Sequence, residues 1–182
     1  VRGAEIEFTY NKPKKFNTYI SAAFTDGRYI KFTNAPLPLE ETGKVINGQQ
    51  IAFKDISGGR LPGISDVSIS GGGDYTFKET LFWGLTGQPF AGVDVFYRSE
   101  FSSSPSPSAF LNIPGYALAN ARLGIKAKNG ITLFAWVRNL WNQNYYEQLL
   151  PAGGNAGHYA AVLGDQRTFG ITLRYAFAKA GR

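Results

Sequence analysis

The sequence predicts an all-β protein made of antiparallel, membrane-crossing strands, the transmembrane β-barrel class. Three observations predict it. Seven segments alternate apolar and polar residues at period two, the pattern of a strand with one greasy and one wet face. The clearest of them, Thr168–Phe177, covers the roughly ten residues that a tilted strand needs to cross the hydrocarbon core of a bilayer. Short and long connections alternate along the chain, as in a barrel with turns on one side of the membrane and loops on the other.

The segments follow in chain order. Ala4–Tyr10 sets Ala4, Ile6, Phe8 and Tyr10 against Glu5, Glu7 and Thr9. Phe16–Asp26 sets Phe16, Ile20, Ala22 and Phe24 against Asn17, Ser21 and Thr25, with Thr18 and Tyr19 blurring the pattern. Asp66–Phe77 places Val67, Ile69, Gly71, Gly73, Tyr75 and Phe77 opposite Asp66, Ser68, Ser70, Asp74 and Thr76. Phe90–Arg98 has Ala91, Val93, Val95 and Tyr97 apolar, with Asp94 and Arg98 on the other side. Ala117–Lys126 sets Ala117, Ala119, Ala121, Leu123 and Ile125 against Asn120, Arg122 and Lys126. Ile131–Leu140 has Ile131, Leu133, Ala135 and Val137 on one face, but Phe134 and Trp136 join Thr132 and Arg138 on the other. Thr168–Phe177 sets Phe169, Ile171, Leu173, Tyr175 and Phe177 against Gly170, Thr172, Arg174 and Ala176.

Between them, 11–15 and 128–130 are short, the latter around an Asn-Gly hairpin signal. Residues 78–89 are intermediate; 27–65, 99–116 and 141–166 are long. Structureless loops above about 15 residues are rare in compact soluble domains, whereas barrels carry them on one side. A closed sheet satisfies every backbone polar group within lipid, and wet-face residues such as Glu5, Glu7, Asp74, Asp94, Arg98, Arg122 and Arg174 then sit toward water. Aromatics cluster at strand ends (Phe8, Tyr10 and Phe16; Phe24 and Tyr29; Tyr75 and Phe77; Tyr97 and Phe101; Tyr175 and Phe177), as in interfacial girdles. A soluble sandwich also alternates in this way and is the competing architecture.

Composition narrows the chemistry. With no Cys and one His among 182 residues, disulfides, thiol catalysis and multi-histidine metal sites are excluded. Asp26, Asp55, Asp66 and Asp74 lack calcium-loop spacing, so no metal site and no cofactor is assigned. The net charge of +6 is scattered. It forms no stripe of cations with stacking aromatics, so no nucleic-acid partner is expected. The sequence shows no run of eighteen apolar residues and therefore no membrane helix. It begins Val-Arg-Gly without an initiator Met or a secretory apolar region, which suggests signal removal or a piece of a longer chain.

Several stretches together resemble one family. Tyr116–Ile125 (YALANARLGI), Phe134–Tyr146 (FAWVRNLWNQNYY) and Arg167–Phe177 (RTFGITLRYAF) resemble the last three strands of TonB-dependent outer-membrane receptors. Arg2–Phe8, Gly59–Gly63 and Gly73–Phe77 match the same family in order and spacing. Trp141 and Asn142 stand where the family's corner motif carries Phe and Asp. Ile64–Val67 stands where family members often carry a proline. Ala178–Arg182 continues past the expected terminal Phe, either as a natural tail or as an added remnant. The resemblance implies a bacterial outer-membrane protein in which residues 1–177 are about seven C-terminal strands of a larger barrel, of 22 strands with an internal plug. It implies active import of a scarce nutrient, a ferric siderophore or similar iron complex, energised by TonB through a plug N-terminal to Val1. It also implies contact with outer-membrane lipid and with the assembly machinery. If the last strand ends in the periplasm, 141–166, 99–116 and 27–65 are external and the shorter connections periplasmic.

Candidate ligand contacts are Arg60, Trp141, Tyr145, Tyr146, His158 and Tyr159, through stacking or anion binding. Arg60, Arg98, Arg122, Arg138 and Arg174 are inward candidates for anionic ligands or for salt bridges to plug or wall carboxylates. The resemblance makes Phe169, Ile171, Leu173, Tyr175 and Phe177 an assembly signal read by strand addition. His158 has Asp165, Ser21 and Ser99 as nominal partners but no nucleophile-elbow pattern, so no enzyme activity is expected. The alternatives are a small self-contained outer-membrane barrel acting as adhesin or anchor, and a secreted β-sandwich binding module.

Overall fold

In a computed structural model the chain is described over residues 1–82, 84–153 and 157–177. The Ala178–Arg182 tail lies outside the described residues. Seven long strands form one antiparallel sheet in chain order: β1 (Arg2–Lys12), β2 (Phe16–Asp26), β3 (Val67–Thr76), β4 (Leu85–Arg98), β5 (Tyr116–Ala127), β6 (Ile131–Arg138) and β7 (Thr168–Tyr175). A short strand, Thr80–Phe82, continues β3 along the start of β4.

Register joins the faces read from single strands into two continuous surfaces. Across one row, Phe8 faces Ile20, Ile20 faces Gly71, Gly71 faces Val95 and Val95 faces Ala119. Leu123, Ala135 and Ile171 continue the same apolar face. Its only charges within the paired rows, Arg2, Lys12 and Asp26, sit in the first and last rows of β1–β2. The opposite face carries all the other strand charges of the paired rows, from Glu5 and Glu7 on β1 to Arg174 on β7. A slip of one residue would exchange the two faces, so the pattern itself pins the register.

The greasy face is open: Ile6 is 73% exposed, Ile171 77% and Phe169 81%. The largest fully buried side chains lie elsewhere, in the long connections: Leu111, Ile113 and Pro38. A soluble domain places its core beneath the sheet; here the sheet turns its apolar side outward, as a wall facing lipid does.

Strand ends differ from expectation where partners run out. β6 stops at Arg138 rather than Leu140, because Asn139 takes φ 49° and turns the chain. β7 stops at Tyr175 rather than Phe177, because its partner Ile131 is the first residue of β6. The Ala176 amide then donates to Gly130 in the preceding turn. Gly130 itself has φ 86°, and a Cβ there would meet the Ala176 carbonyl at 2.7 Å. The 78–89 connection is not a loop but a hairpin, with Thr80 opposite Gly87.

The long connections are also more ordered than their composition suggests. The first contains two small ladders, Ala35–Pro36 with Phe53–Lys54 and Val45–Ile46 with Gln49–Gln50. The second pairs Phe101–Ser102 with Asn112–Ile113, and the third pairs Tyr146–Pro151 with Tyr159–Leu163. All three emerge from the same end of the sheet, opposite the tight turns. At the turn end, Tyr10, Phe16, Tyr75 and Phe77 form a chain of rings 4.8–6.4 Å apart, and Tyr175 meets Phe177 edge-on at 4.7 Å. Tyr29 and Phe101 do not join a girdle. Tyr29 packs on Phe32 within the first connection, and Phe101 is buried under the Arg98 guanidinium.

Candidate functional site

The wet face of the sheet is the natural place for chemistry, because its charges converge there. At its centre Arg122 on β5 reaches across two strands. Its Nε and Nη2 donate to the two oxygens of Asp74 at 2.8 and 2.7 Å, and its Nη1 donates to Asp94 at 2.5 Å. The Tyr19 hydroxyl donates to the other Asp94 oxygen at 3.2 Å. Gly72 and Gly92 lie opposite these carboxylates, and a Cβ on either would strike them. Two carboxylates holding one fork-shaped cation make a rigid wall element.

The remaining arginines divide by partner. Arg60 pairs with Asp66 at 2.6 Å. Arg98 donates to the Ser65 hydroxyl and the Gly63 carbonyl while covering Phe101 at 3.6 Å. Arg138 and Arg174 instead lie over Trp136 and Phe134, at 5.3 and 5.2 Å. Lys126 lies 4.9 Å from the Phe90 ring centroid.

The three long connections are tied into one cap by a residue the sequence did not single out, Glu40. One of its carboxylate oxygens accepts from Ser108 at 2.7 Å, and the other accepts from the Tyr159 hydroxyl. Tyr159 also accepts from the Leu39 amide at 3.2 Å and stacks on Phe110 at 5.7 Å. Ser108 is nearly buried and caps the short helix Ala109–Leu111. Burial raises the Glu40 pKa, but donation from Tyr159 and Ser108 outweighs it and holds the carboxyl below its ordinary range. Burial, then the bond to Glu40, pushes the Tyr159 phenol up. Nearby, the Ser103 hydroxyl donates to the Leu149 carbonyl at 2.5 Å, a second tie between the second and third connections.

The sequence-predicted contacts do not form one cluster. Arg60 lines a cleft of about 450 Å³ with Glu100, Ser102, Ser104, Ser106 and Asn112. Trp141 is exposed on the turn after β6. Tyr145 packs against Tyr116 at 4.6 Å and lies over Gly164, where any Cβ would strike its ring; burial raises its phenol. Tyr146 pairs with Leu163 at the start of the last hairpin, and exposed His158 accepts from the Ala152 amide through its carbonyl. Tyr159 belongs to the Glu40 cap. Phe169, Ile171, Leu173, Tyr175 and Phe177 are all exposed on or just beyond the edge strand β7.

The Asn-Leu-Trp-Asn corner has a plain mechanical role. The buried Asn139 side chain donates to the carbonyls of Gln143 and Asp165 at 2.9 and 3.0 Å and accepts from the Gln143 amide at 2.8 Å. Asn142 accepts from the Arg167 amide at 3.1 Å. Together they clamp the two stems of the last connection.

A concavity of about 810 Å³ lies mainly on the greasy face, where Gly71 and Gly73 leave space among Phe8, Ile20, Tyr75 and Tyr97. Its apolar lining suits acyl chains rather than a polar ligand. Among the described residues no cluster of His, Cys, Asp or Glu has the makings of a metal site, and no helix is long and apolar enough to cross a membrane.

Comparison with known proteins points the same way as the sheet. The family model described as TonB dependent receptor-like, beta-barrel matches residues 1–140. Among solved structures the chain is similar to the ferric yersiniabactin uptake receptor FyuA from Yersinia pestis, at a TM-score of 0.69 and 15% identity. That match covers 97% of this chain and 23% of the other, so the chain spans less than a quarter of that receptor, and the likeness concerns the fold. No curated protein matches the sequence.

Proposed function

Because the chain belongs to the TonB dependent receptor-like β-barrel family, we propose that it forms C-terminal strands of the barrel of an outer-membrane receptor that imports an iron complex of the siderophore type. Barrels of this family are bacterial outer-membrane proteins with transport and receptor roles rather than enzymatic ones. The observation that carries the reading is the division of the sheet into one apolar face, charged only in the end rows of β1–β2, and one face bearing all its other paired-row charges. This is the arrangement of a lipid-facing wall around a wet lumen. The iron-complex assignment draws support from the cationic, aromatic wet face and from the fold shared with a receptor named for ferric yersiniabactin uptake.

On this reading the remaining strands, the plug and the TonB contact belong to other parts of the receptor, and 22 strands close the barrel. The three long connections are extracellular, and Arg60, Trp141, Tyr145, Tyr146, His158 and Tyr159 belong to its outer rim. The edge strand β7 with Phe177 addresses the protein to the assembly machinery. Deletion of the gene should abolish growth under iron limitation on at least one ferric complex, with radioiron uptake restored by the intact gene. Uptake of every tested iron complex at the wild-type rate in the deletion strain would overturn the iron assignment.

A further inference from the structure

The wet face of β5–β7 carries a built strip of cations. Trp136 lies against Gly170, where a Cβ would meet the indole at 2.6 Å, and its Nε1 donates to Thr172 at 3.1 Å. Gly124 pairs with Phe134, and a Cβ there would meet the Leu133 carbonyl and the Phe134 Cβ. The absence of a side chain at Gly170 lets the indole lie against the wall. Arg138 then sits over Trp136 and Arg174 over Phe134, while Lys126 sits over Phe90, a ring 6.1 Å from Phe134. All three cations are exposed, and among the described residues none makes a salt bridge. Arg122, next to them, is engaged by both Asp74 and Asp94, a trio that carries one net negative charge and offers no free cation.

The strip has two levels along the strands, Lys126 and Arg174 sharing one row and Arg138 standing at the other. Arg138 opposes Thr168 at the loop end, and Arg174 opposes Thr132 at the turn end, beside Lys126. Six residues of strand separate those levels, about 20 Å of rise. Aromatic faces hold the cations in place at low desolvation cost, leaving their N–H groups to donate inward. Fixed donors at two levels along the transport direction suit a mobile anion better than one enclosed pocket would.

Resting on the iron-complex reading above, we propose that this strip is an anion-binding track in the lumen, along which a negatively charged iron complex passes. The test uses the full-length receptor in detergent with ferric citrate as an anionic probe and a neutral ferric trihydroxamate as its control. Binding is read as quenching of Trp136 fluorescence, identified by its loss in Trp136→Phe. Ferric citrate should quench, and Lys126→Gln/Arg138→Gln/Arg174→Gln should weaken its binding at least tenfold with an unchanged melting temperature. The neutral complex should show no such dependence. The proposal is overturned if ferric citrate fails to quench, if the triple variant binds it normally, or if the neutral complex depends equally on the strip. A lowered melting temperature with normal probe binding would assign the strip to an acidic polypeptide and overturn it too. Probe binding that ignores the strip, beside a clear iron-growth phenotype, sinks the track and leaves the receptor reading. Strip-dependent binding without that phenotype does the reverse.

Discussion

Asn139 illustrates how much a single side chain carries at the rim of this sheet. It sits at φ 49°, a conformation that Asn tolerates better than most residues. Its amide satisfies three backbone groups on both stems of the last connection. Asn139→Ala removes those bonds and keeps the backbone strain, and should lower receptor stability by about 1–3 kcal/mol. Urea titration of the detergent-folded receptor measures this; an unchanged midpoint would mean that the clamp is redundant. The motif was legible in the sequence as a family corner, but its mechanics were not, because the Asp165 carbonyl lies 26 positions away. Glu40 was illegible for the same reason, with partners 68 and 119 positions along the chain.

At the scale of an element, neighbouring positions on β7 should respond in opposite ways. Ile171 faces out on the apolar side and Thr172 faces the wet side. Ile171→Arg near mid-bilayer should cost about 2–4 kcal/mol, whereas a lumen-facing substitution should cost far less. Comparing the folding free energies of Ile171→Arg and Thr172→Arg in lipid vesicles checks it, and equal costs would reject the assignment of faces. The cap made by the three long connections has its own signature in pH. Glu40 is held below its ordinary pKa, so its contribution is present above the usual carboxylate range and is lost as pH falls through the depressed value. Tyr159 is raised, so its contribution is present below about pH 10 and is lost as pH rises through the elevated value. The cap should therefore resist protease at neutral pH and loosen toward both extremes. Glu40→Gln should remove the acid transition in hydrogen exchange of the 99–115 segment; its persistence would count against the latch.

At the scale of the whole molecule, the sheet is open. The outer edges of β1 and β7 have no ladder partner among the described residues, and long unpaired edges favour association. Residues 1–177 expressed alone should aggregate and show no heat-modifiable folded band, unlike the full receptor. A monomeric, heat-modifiable species would show that the two edges can close on each other. In the full receptor, Phe177→Ala should reduce the amount inserted in the outer membrane several-fold without changing transport per inserted molecule. Wild-type insertion would remove Phe177 from the proposed signal.

The sequence by itself determined the all-β class, seven strand positions and the face each residue occupies, because alternation at period two is a local property that survives without knowing any partner. Through motif order it also pointed to the family. Only the tertiary structure decided which wet-face cations are neutralised and which lie on aromatic rings, since Arg122 meets Asp74 and Asp94 across strands distant in sequence. It alone showed that the long connections carry the largest fully buried side chains and share a cap through Glu40. Register and loop packing join residues tens to more than a hundred positions apart, and no local pattern encodes such pairings.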